Sequence, residues 1–276
     1  LIMRKVLLAT TALVAMSVSA AQADVSIGGA GSFEINDTDS GQTYSSDGNI
    51  VIRGTSTTDS GLTLTAVQDT HFTDSTVSDS YIDIAGSFGS VRMGNTDDAL
   101  DRMDGALPHN WDMEGNLALQ ANVGGSQATP NISFISPNLS GVTVYGSSTA
   151  NGDTNGLGVT YSNGPINVVY QAGRVAGGAD ETMVGASFTM GALKIGAGHN
   201  TADTGSVKTK TNEFGGTYTM GDLSFVVVQG KQGSDKASSV GFSYAIAPGL
   251  SFAAESAERT GSDPETETYM AISVAF

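Results

Sequence analysis

The feature that most constrains this chain is a period-two alternation of apolar and polar residues, which recurs along most of the sequence. In the last segment Met270, Ile272 and Val274 share one phase, and small residues occupy the other. Alternation of this kind predicts β-strands that have one apolar face and one polar face. The same pattern recurs over 213–227 and 239–246, so the chain is predicted to be all-β.

Alternation alone leaves open which face points inward, because a soluble β-sandwich turns its apolar face in and a membrane barrel turns it out. The polar phase is rich in small residues, which suits a water-filled lumen. Its charged members include Arg53, Asp83, Arg92, Lys194 and Glu255. Aromatic residues lie shortly before predicted turns, as expected for a girdle at the membrane interface. These aromatic residues are Phe88, Phe134, Tyr161, Phe188, Tyr218 and Tyr244.

Tight turns alternate with longer polar stretches along the chain. Gly, Asn, Asp and Pro mark the turns, for example at Asn163-Gly164-Pro165 and Gly221-Asp222. The longer polar stretches include 37–47, 95–129 and 200–208, which are predicted to be loops. Short turns on one side and longer loops on the other are typical of an outer-membrane barrel. The segments between these breaks predict about 16 strands of roughly 8–12 residues each, long enough to cross a bilayer when tilted.

The N-terminus has the features of a secretory signal peptide. Arg4 and Lys5 precede an apolar stretch over 6–18, and Ala21-Gln22-Ala23 forms a small-x-small cleavage pattern. The apolar stretch is roughly 13 residues long, shorter than the ~18 that a spanning helix needs. We therefore expect 1–23 to be a cleaved signal peptide and 24–276 to form a single domain.

The charge balance excludes one large class of partners. The chain carries 12 Lys and Arg against 28 Asp and Glu, which gives a net charge of −16. Such acidity excludes nucleic-acid binding, and it fits either an acidic secreted surface or a lumen that attracts cations. The chain contains no cysteine, so disulfide bonds do not stabilise the fold.

Three features of the sequence resemble the general-diffusion porins of Gram-negative bacteria, particularly those of alphaproteobacteria. They are the region 21–29 around the cleavage pattern, the segment 84–95 with the sequence IAGSFGSVRMGN, and the terminal Phe276. A terminal Phe in an alternating strand resembles the signal read by the barrel-assembly machinery. The resemblance covers 24–276 from end to end, and it implies a 16-stranded antiparallel barrel in the outer membrane that usually forms a homotrimer.

The resemblance also implies that the third external loop folds into the lumen and narrows it. The matching segment is 96–128, the longest irregular stretch of the chain, and loops of such length are usually functional. Family porins set carboxylates of this loop against basic side chains on the opposite barrel wall. The loop candidates are Asp97, Asp98, Asp101, Asp104, Asp112 and Glu114. The candidates for the basic wall are Arg53, Arg92, Lys194 and Arg259, while Arg102 is interpreted as a local ion-pair partner of the loop acids.

The expected function is passive diffusion of small hydrophilic solutes and ions through a water-filled channel. The constriction would set a size limit, and its transverse field would order water so that apolar molecules pass poorly. The acidic excess predicts a mild preference for cations. The expected partners are outer-membrane lipid, further copies of the chain and the solutes themselves.

Two other classes of function and a metal site are alternatives. Alternating faces also fit a secreted β-sandwich or adhesin, which leaves the turn–loop alternation and the terminal Phe unexplained. A barrel enzyme acting on lipids needs a nucleophile with a matched base, and without a Gly-x-Ser-x-Gly motif no enzyme is expected. No cofactor is expected, but the carboxylates of Asp97, Asp98 and Asp101 are of the type that Ca²⁺ binds.

Overall fold

The computed structural model describes residues 23–72, 77–106, 130–150, 152–174 and 178–276, with only the backbone at 78 and 104–106. Within these residues 16 strands join in a closed antiparallel barrel, and each strand pairs with its neighbours in the sequence. The predicted all-β barrel and its strand number are confirmed. The strands are β1 (Asp24–Thr38), β2 (Gly41–Thr57), β3 (Thr63–His71), β4 (Val77–Gly86), β5 (Gly89–Asn95), β6 (Pro130–Ile135), β7 (Val142–Thr149), β8 (Asn155–Asn163), β9 (Ile166–Arg174), β10 (Asp180–Met190), β11 (Leu193–Asp203), β12 (Lys208–Met220), β13 (Leu223–Gln232), β14 (Asp235–Ala247), β15 (Leu250–Thr260) and β16 (Glu265–Ala275).

The alternation in the sequence becomes an alternation of solvent exposure along the strands. In β10 the side chains of Val184 and Phe188 are 51% and 43% exposed, whereas Met183 and Ser187 on the other phase are buried. Large apolar side chains share the exposed phase on strand after strand, which is the reverse of a soluble protein. The six aromatic residues of the predicted girdle are all exposed. The apolar face therefore points outward, which excludes the β-sandwich.

Glycine-led turns close one end of the barrel. Gly164, Gly191 and Gly221 stand first in two-residue connections and have φ of 56°, 59° and 60°. A positive φ at the first central position alone is characteristic of the type II′ turn, whose twist matches that of the flanking strands. We call this end the turn rim, and the opposite end, where the segment 96–129 leaves the sheet, the loop rim.

Strand lengths at the loop rim differ from the prediction. β2 spans 17 residues and β6 spans 6, whereas roughly 8–12 were expected. β1 and β2 form one long hairpin with only Asp39 and Ser40 between them, so the predicted loop over 37–47 is wrong. β11 and β12 likewise extend into 200–208. A two-stranded ribbon in water is polar on both faces, so residue polarity did not distinguish it from a loop.

The barrel closes where β1 pairs with β16. The register runs from Ala30 opposite Ala275 to Thr38 opposite Glu267. Beyond it, the amide and the carbonyl of Phe276 each hydrogen-bond to the backbone of Gly29 at 3.0 Å. Closure leaves no free sheet edge, as a barrel in lipid requires.

A short helix lies inside the barrel. It is a 3₁₀ helix over Asp101–Ala106, and it belongs to the segment that connects β5 to β6. In the described part of the chain, a buried apolar cluster forms between this segment and the wall. No helix in the described residues is long and apolar enough to cross a membrane.

Candidate functional site: the lumen constriction

Strand β8 shows which face of the wall lines the lumen. Leu157 is 49% exposed on the outward phase, while its neighbours Gly156 and Gly158 lie against the residues 100–103. In register, Gly158 pairs with Gln171 of β9, which contacts the same segment. The beginning of the loop therefore lies inside the barrel, as predicted for a constriction loop.

The first turn of the loop is fixed by side-chain hydrogen bonds. Asn131 Nδ2 donates to the carbonyl of the buried Thr96 at 2.7 Å. The carboxylate Oδ1 of Asp98 accepts hydrogen bonds from the amides of Leu100 at 2.7 Å and Asp101 at 3.3 Å. Asp98 is only 3% exposed. Its carboxylate accepts hydrogen bonds from backbone amides at the start of the helix, which have no carbonyl partner within the helix. One of the predicted loop carboxylates thus has a structural role.

Apolar side chains anchor the helix to the wall. Leu100 and Met103 are 1% and 0% exposed, and they pack with Val169 of β9 and Met183 of β10. Tyr145 of β7 covers the cluster from the side. Complete burial of a Leu or Met side chain contributes about 1.5–3 kcal/mol, so this cluster is the main apolar attachment of the described part of the loop.

Two wall glycines make room for this attachment. A Cβ at Gly158 would lie 2.0 Å from Met103 Sδ, and a Cβ at Gly156 would lie 2.7 Å from Leu100 Cγ. Such distances are far below ordinary contact distances, so the wall accepts the loop only where it lacks side chains. We call Gly156 and Gly158 the glycine notch. Gln171 Nε2 beside the notch donates to the Leu100 carbonyl at 3.5 Å.

Two arginines converge on Asp83 from different elements. Arg92 Nε of the adjacent strand lies 3.1 Å from Asp83 Oδ2, and the guanidinium lies 3.9 Å from the centroid of the Tyr81 ring. Arg102 of the loop approaches the same Oδ2 to 3.8 Å and donates to Ser133 Oγ at 2.9 Å. Burial and the nearby Arg92 lower the pKa of Arg102, and Asp83 acts in the opposite direction. At this point the loop supplies a cation and the wall supplies a carboxylate.

At this one contact the loop and wall charges are the reverse of those that the resemblance implied. The expected arrangement set loop carboxylates against a basic wall, yet Arg102 reaches Asp83 on the wall. The pairing of Arg102 with the loop acids stays a prediction. Arg92 lies on the lumen phase, and it shares Asp83, directly opposite it in the register, with Arg102.

The other predicted wall cations lie on the lumen phase but are dispersed. Arg53 of β2 lies level with Tyr81 of β4 in the register, two strands away around the wall. Because Arg92 contacts the Tyr81 ring, Arg53 and Arg92 lie in the same part of the lumen. Lys194 lies on β11 and Arg259 on β15, in other sectors of the wall. The four cations do not form one cluster.

The loop carboxylates whose side chains the structure describes do not gather into a metal site. Asp97 and Asp101 are partly exposed at the start of the loop. No group of three acidic, histidine or cysteine side chains in the described residues could hold a metal ion. Asp97, Asp98 and Asp101, which the sequence offered as a calcium site, form no such group within that part of the chain. Outside the described side chains lie Asp104, Asp112 and Glu114.

Sequence reasoning did not single out the carboxylates of the wall as a site. Glu213, Glu255 and Glu267 are 3%, 4% and 4% exposed, and all three lie on the lumen phase. Asn36 Nδ2 donates to Glu267 Oε1 across the closing strands. The period-two pattern could have identified these carboxylates as lumen residues, because each lies on the polar phase of its strand.

The solved structures that resemble this chain include porins. The anion-selective porin from Comamonas acidovorans has a TM-score of 0.74 at 16% identity, and the match covers 92% of this chain and 100% of that chain. A triple mutant of the Rhodopseudomonas blastica porin has a TM-score of 0.76 at 18% identity, with coverage of 92% and 100%. A loop-deletion mutant of OmpT, an outer membrane protein of Vibrio cholerae, has a TM-score of 0.75 at 15% identity, with coverage of 92% and 99%. At these identities the likeness shows the fold.

The family is shown by the sequence itself. No curated protein sequence matches the chain, but the profile of a family described as Gram-negative porin matches residues 9–264. The match spans nearly all of the barrel, and both the family and the solved neighbours are channels rather than enzymes. The chain therefore belongs to the Gram-negative porin family and is an outer-membrane channel protein, not an enzyme.

Proposed function

We propose that this porin passes small hydrophilic solutes and ions with a modest preference for cations. The observation that carries the proposal is the charge of the lumen phase, where carboxylates outnumber the Arg and Lys side chains more than twofold. On the described strands these carboxylates include Glu34, Asp47, Asp69, Asp83, Glu181, Glu213, Glu255, Glu265 and Glu267. The cations of the same phase are Arg53, Arg92, Lys194 and Arg259.

The carboxylates are concentrated opposite the loop. The loop packs on β8 and β9, whose lumen phase carries Gly158 and Gln171 and no charge. In a ring of 16 strands the position opposite β8 is β16, which carries Glu267, and its neighbour β1 carries Glu34. The open part of the lumen is thus bordered by an acidic arc that runs over β15, β16, β1, β2, β3 and β4.

An acidic arc beside an open path raises the local concentration of cations. Salt screens exposed charges over about 8–10 Å, so in a wide aqueous lumen the preference is modest rather than absolute. The arginines at Asp83 add a local transverse field, because the loop and wall charges face one another there. The Comamonas porin named as anion-selective shares only the fold with this chain, so its selectivity is not transferred.

The test is the reversal potential of residues 24–276 refolded in detergent and inserted into a planar bilayer under a salt gradient. The expected sign is that of cation preference, and the potential should move toward zero in the double variant Glu34→Gln, Glu267→Gln. Asp222→Asn is the matched control, because Asp222 lies in a two-residue connection at the turn rim. A wild type that prefers anions, or equal shifts in both variants, would contradict the proposal.

The processing and assembly of the protein are further proposals. We infer cleavage after Ala23 from the Ala21-Gln22-Ala23 pattern and from the start of β1 at Asp24. N-terminal sequencing of protein recovered from outer membranes should return Asp24-Val25-Ser26.

Assembly as a homotrimer in outer-membrane lipid rests on the family, and conductance steps in multiples of three would support it.

A further inference from the structure

The wall of the lumen carries a histidine beside one of its carboxylates. His71 is the last residue of β3, and its Nδ1 lies 3.1 Å from Asp47 Oδ1 of β2. A histidine forms an ion pair with a carboxylate only when its imidazole is protonated. The net charge of this pair is therefore negative when His71 is neutral, and the pair is uncharged when His71 is protonated. We call Asp47 and His71 the lumen pair.

The register places both side chains of the lumen pair on the channel side of the wall. On β2 the side chains of Ile50 and Ile52 are 41% and 48% exposed on the outward phase, so Asp47 and Asn49 lie on the lumen phase. His71 stands directly opposite Asn49 in the register and shares that phase.

The end of β3 is held in place from the outer face. The amide of Phe72 donates to the carbonyl of Gly48 at 3.0 Å. The Phe72 ring lies so close over Gly48 that a Cβ at this glycine would be 1.9 Å from Phe72 Cζ. Because Phe72 is fixed on the outer face, its neighbour His71 is held on the inner face, beside Asp47.

A cavity along the lumen wall reaches the lumen pair. Its volume is ≈ 500 Å³, and small side chains of neighbouring strands border it, including Ser32, Ser251 and Ser273. The side chains of His71 and Asp47 are 31% and 60% exposed. Protons and permeating ions therefore reach the pair from the channel.

The surroundings of the lumen pair are acidic. The carboxylates on the neighbouring strands are those of Glu34 on β1, Asp69 on β3 and Asp79 on β4. Arg53 of β2 is six residues away from Asp47, about 20 Å along the strand. The pair thus belongs to the acidic arc, and protonation of its histidine removes one negative charge from the arc.

We propose that His71 determines how the ion preference of this channel depends on pH. With neutral His71, the charge of Asp47 contributes to the attraction of cations. Protonated His71 cancels that charge, so the cation preference decreases as the pH falls. Histidine side chains ordinarily change charge between about pH 5 and pH 8. This regulation rests on the proposed function, because it acts on the ion preference proposed above.

The other histidines of the chain provide controls for this role. The sequence contains three histidines. His199 pairs in the register with Val184, which is 51% exposed, so His199 lies on the outward phase of β11. His109 lies outside the described residues. His199 is the matched control, because it places the same titratable group on the opposite face of the wall.

The size of the expected effect follows from the distance to the permeating ion and from screening by salt. At about 0.1 M salt, a unit charge about 10 Å away changes the local concentration of a monovalent ion about 1.3-fold. Cations and anions respond in opposite directions, so protonation of His71 should lower the ratio of cation to anion permeability about 1.7-fold. At about 1 M salt the Debye length is about 3 Å, and the effect should become negligible.

The test is the reversal potential of refolded residues 24–276 in a planar bilayer under a KCl gradient near 0.1 M, measured at about pH 8 and about pH 5.5. Wild type is compared with His71→Gln, because the terminal amine, which all variants share, also titrates in this range. The permeability ratio of the wild type should fall about 1.7-fold relative to that of His71→Gln.

Charge variants should reproduce each state of the lumen pair at a fixed pH. His71→Lys should have the lower ratio at both pH values, because its side chain stays positive. Asp47→Asn at the higher pH should match the wild type at the lower pH, since both leave the pair uncharged. His199→Gln and His109→Gln should retain the full response of the wild type. Heat-dependent mobility in SDS gels reports whether each barrel is folded.

An equal response to pH in the wild type and in His71→Gln would overturn the proposal. Loss of the response in His109→Gln or His199→Gln would also overturn it, because the titrating group would then be another histidine. A wild type that prefers anions at both pH values would contradict the proposed function, but a response that depends on His71 would still support the role of this residue.

Discussion

Truncation of the two apolar anchors should release the constriction loop while the barrel stays intact. Leu100 and Met103 are fully buried against the glycine notch, and no strand pairing depends on them. Replacement of a buried Leu or Met by Ala costs about 2–5 kcal/mol. At ~3 kcal/mol for each site, a single variant lowers the docking equilibrium on the order of 100-fold, and the double variant lowers it much further.

The loop contains a built-in reporter of this release. Trp111 is the only tryptophan of the chain, so tryptophan fluorescence monitors the segment 96–129 alone. In the double variant Leu100→Ala, Met103→Ala we expect stronger quenching of Trp111 by acrylamide and greater current noise in single-channel records. Leu157→Ala is the matched control, because Leu157 lies between the two notch glycines but points outward. Heat-dependent mobility in SDS gels reports whether each barrel is folded.

Either of two results would refute this reasoning. If the double variant forms a heat-modifiable barrel with the same quenching and noise as the wild type, the apolar cluster does not hold the loop. If Leu157→Ala has the same effect as the double variant, the change does not act through the glycine notch.

Three other substitutions test separate contacts of the same site. Gly158→Val should undock the helix, because even a Cβ would lie 2.0 Å from Met103 Sδ; the same Trp quenching assay checks it, and unchanged quenching would count against the notch. Asp98→Ala removes the cap of two backbone amides and should weaken docking by about 1 kcal/mol, seen as faster proteolysis of the loop than in Asp98→Asn. Arg102→Gln removes the loop cation beside Asp83 and should increase cation preference in reversal-potential measurements; an unchanged potential would show that this cation does not act on permeating ions, and a shift toward anions would contradict the prediction.

The barrel could be predicted from the sequence because its determinants are local. Period-two alternation fixes which face of each strand is apolar, and glycine fixes turns such as those at Gly191 and Gly221. The position of the aromatic girdle follows from the same pattern. The lengths of the strands at the loop rim were not predictable in this way, since a paired ribbon in water and a loop have the same polar composition.

The charge pairing at Asp83 was not predictable, because it depends on contacts between distant residues. Asp83 and Arg92 meet through the register of β4 and β5, and Arg102 meets Asp83 only after the loop folds inward. The glycine notch is a further case. Gly156 and Gly158 have the appearance of weak strand residues in the sequence, and their purpose emerges only when Leu100 and Met103 occupy the space above them.

The closure of β1 on β16 has a consequence for how this protein reaches its folded state. The pairing of Ala30 with Ala275 joins positions 245 residues apart (275 − 30), whereas every other strand pair is a sequence neighbour. Each doubling of a loop adds about 0.6 kcal/mol of closure entropy, so this step costs about 3 kcal/mol more than closing about 8 residues. The remaining hairpins can form first, and until the last pairing forms they present two unprotected strand edges. The period of greatest risk of aggregation therefore falls immediately before closure, when a chaperone or an assembly factor that covers β1 and β16 would give the most protection.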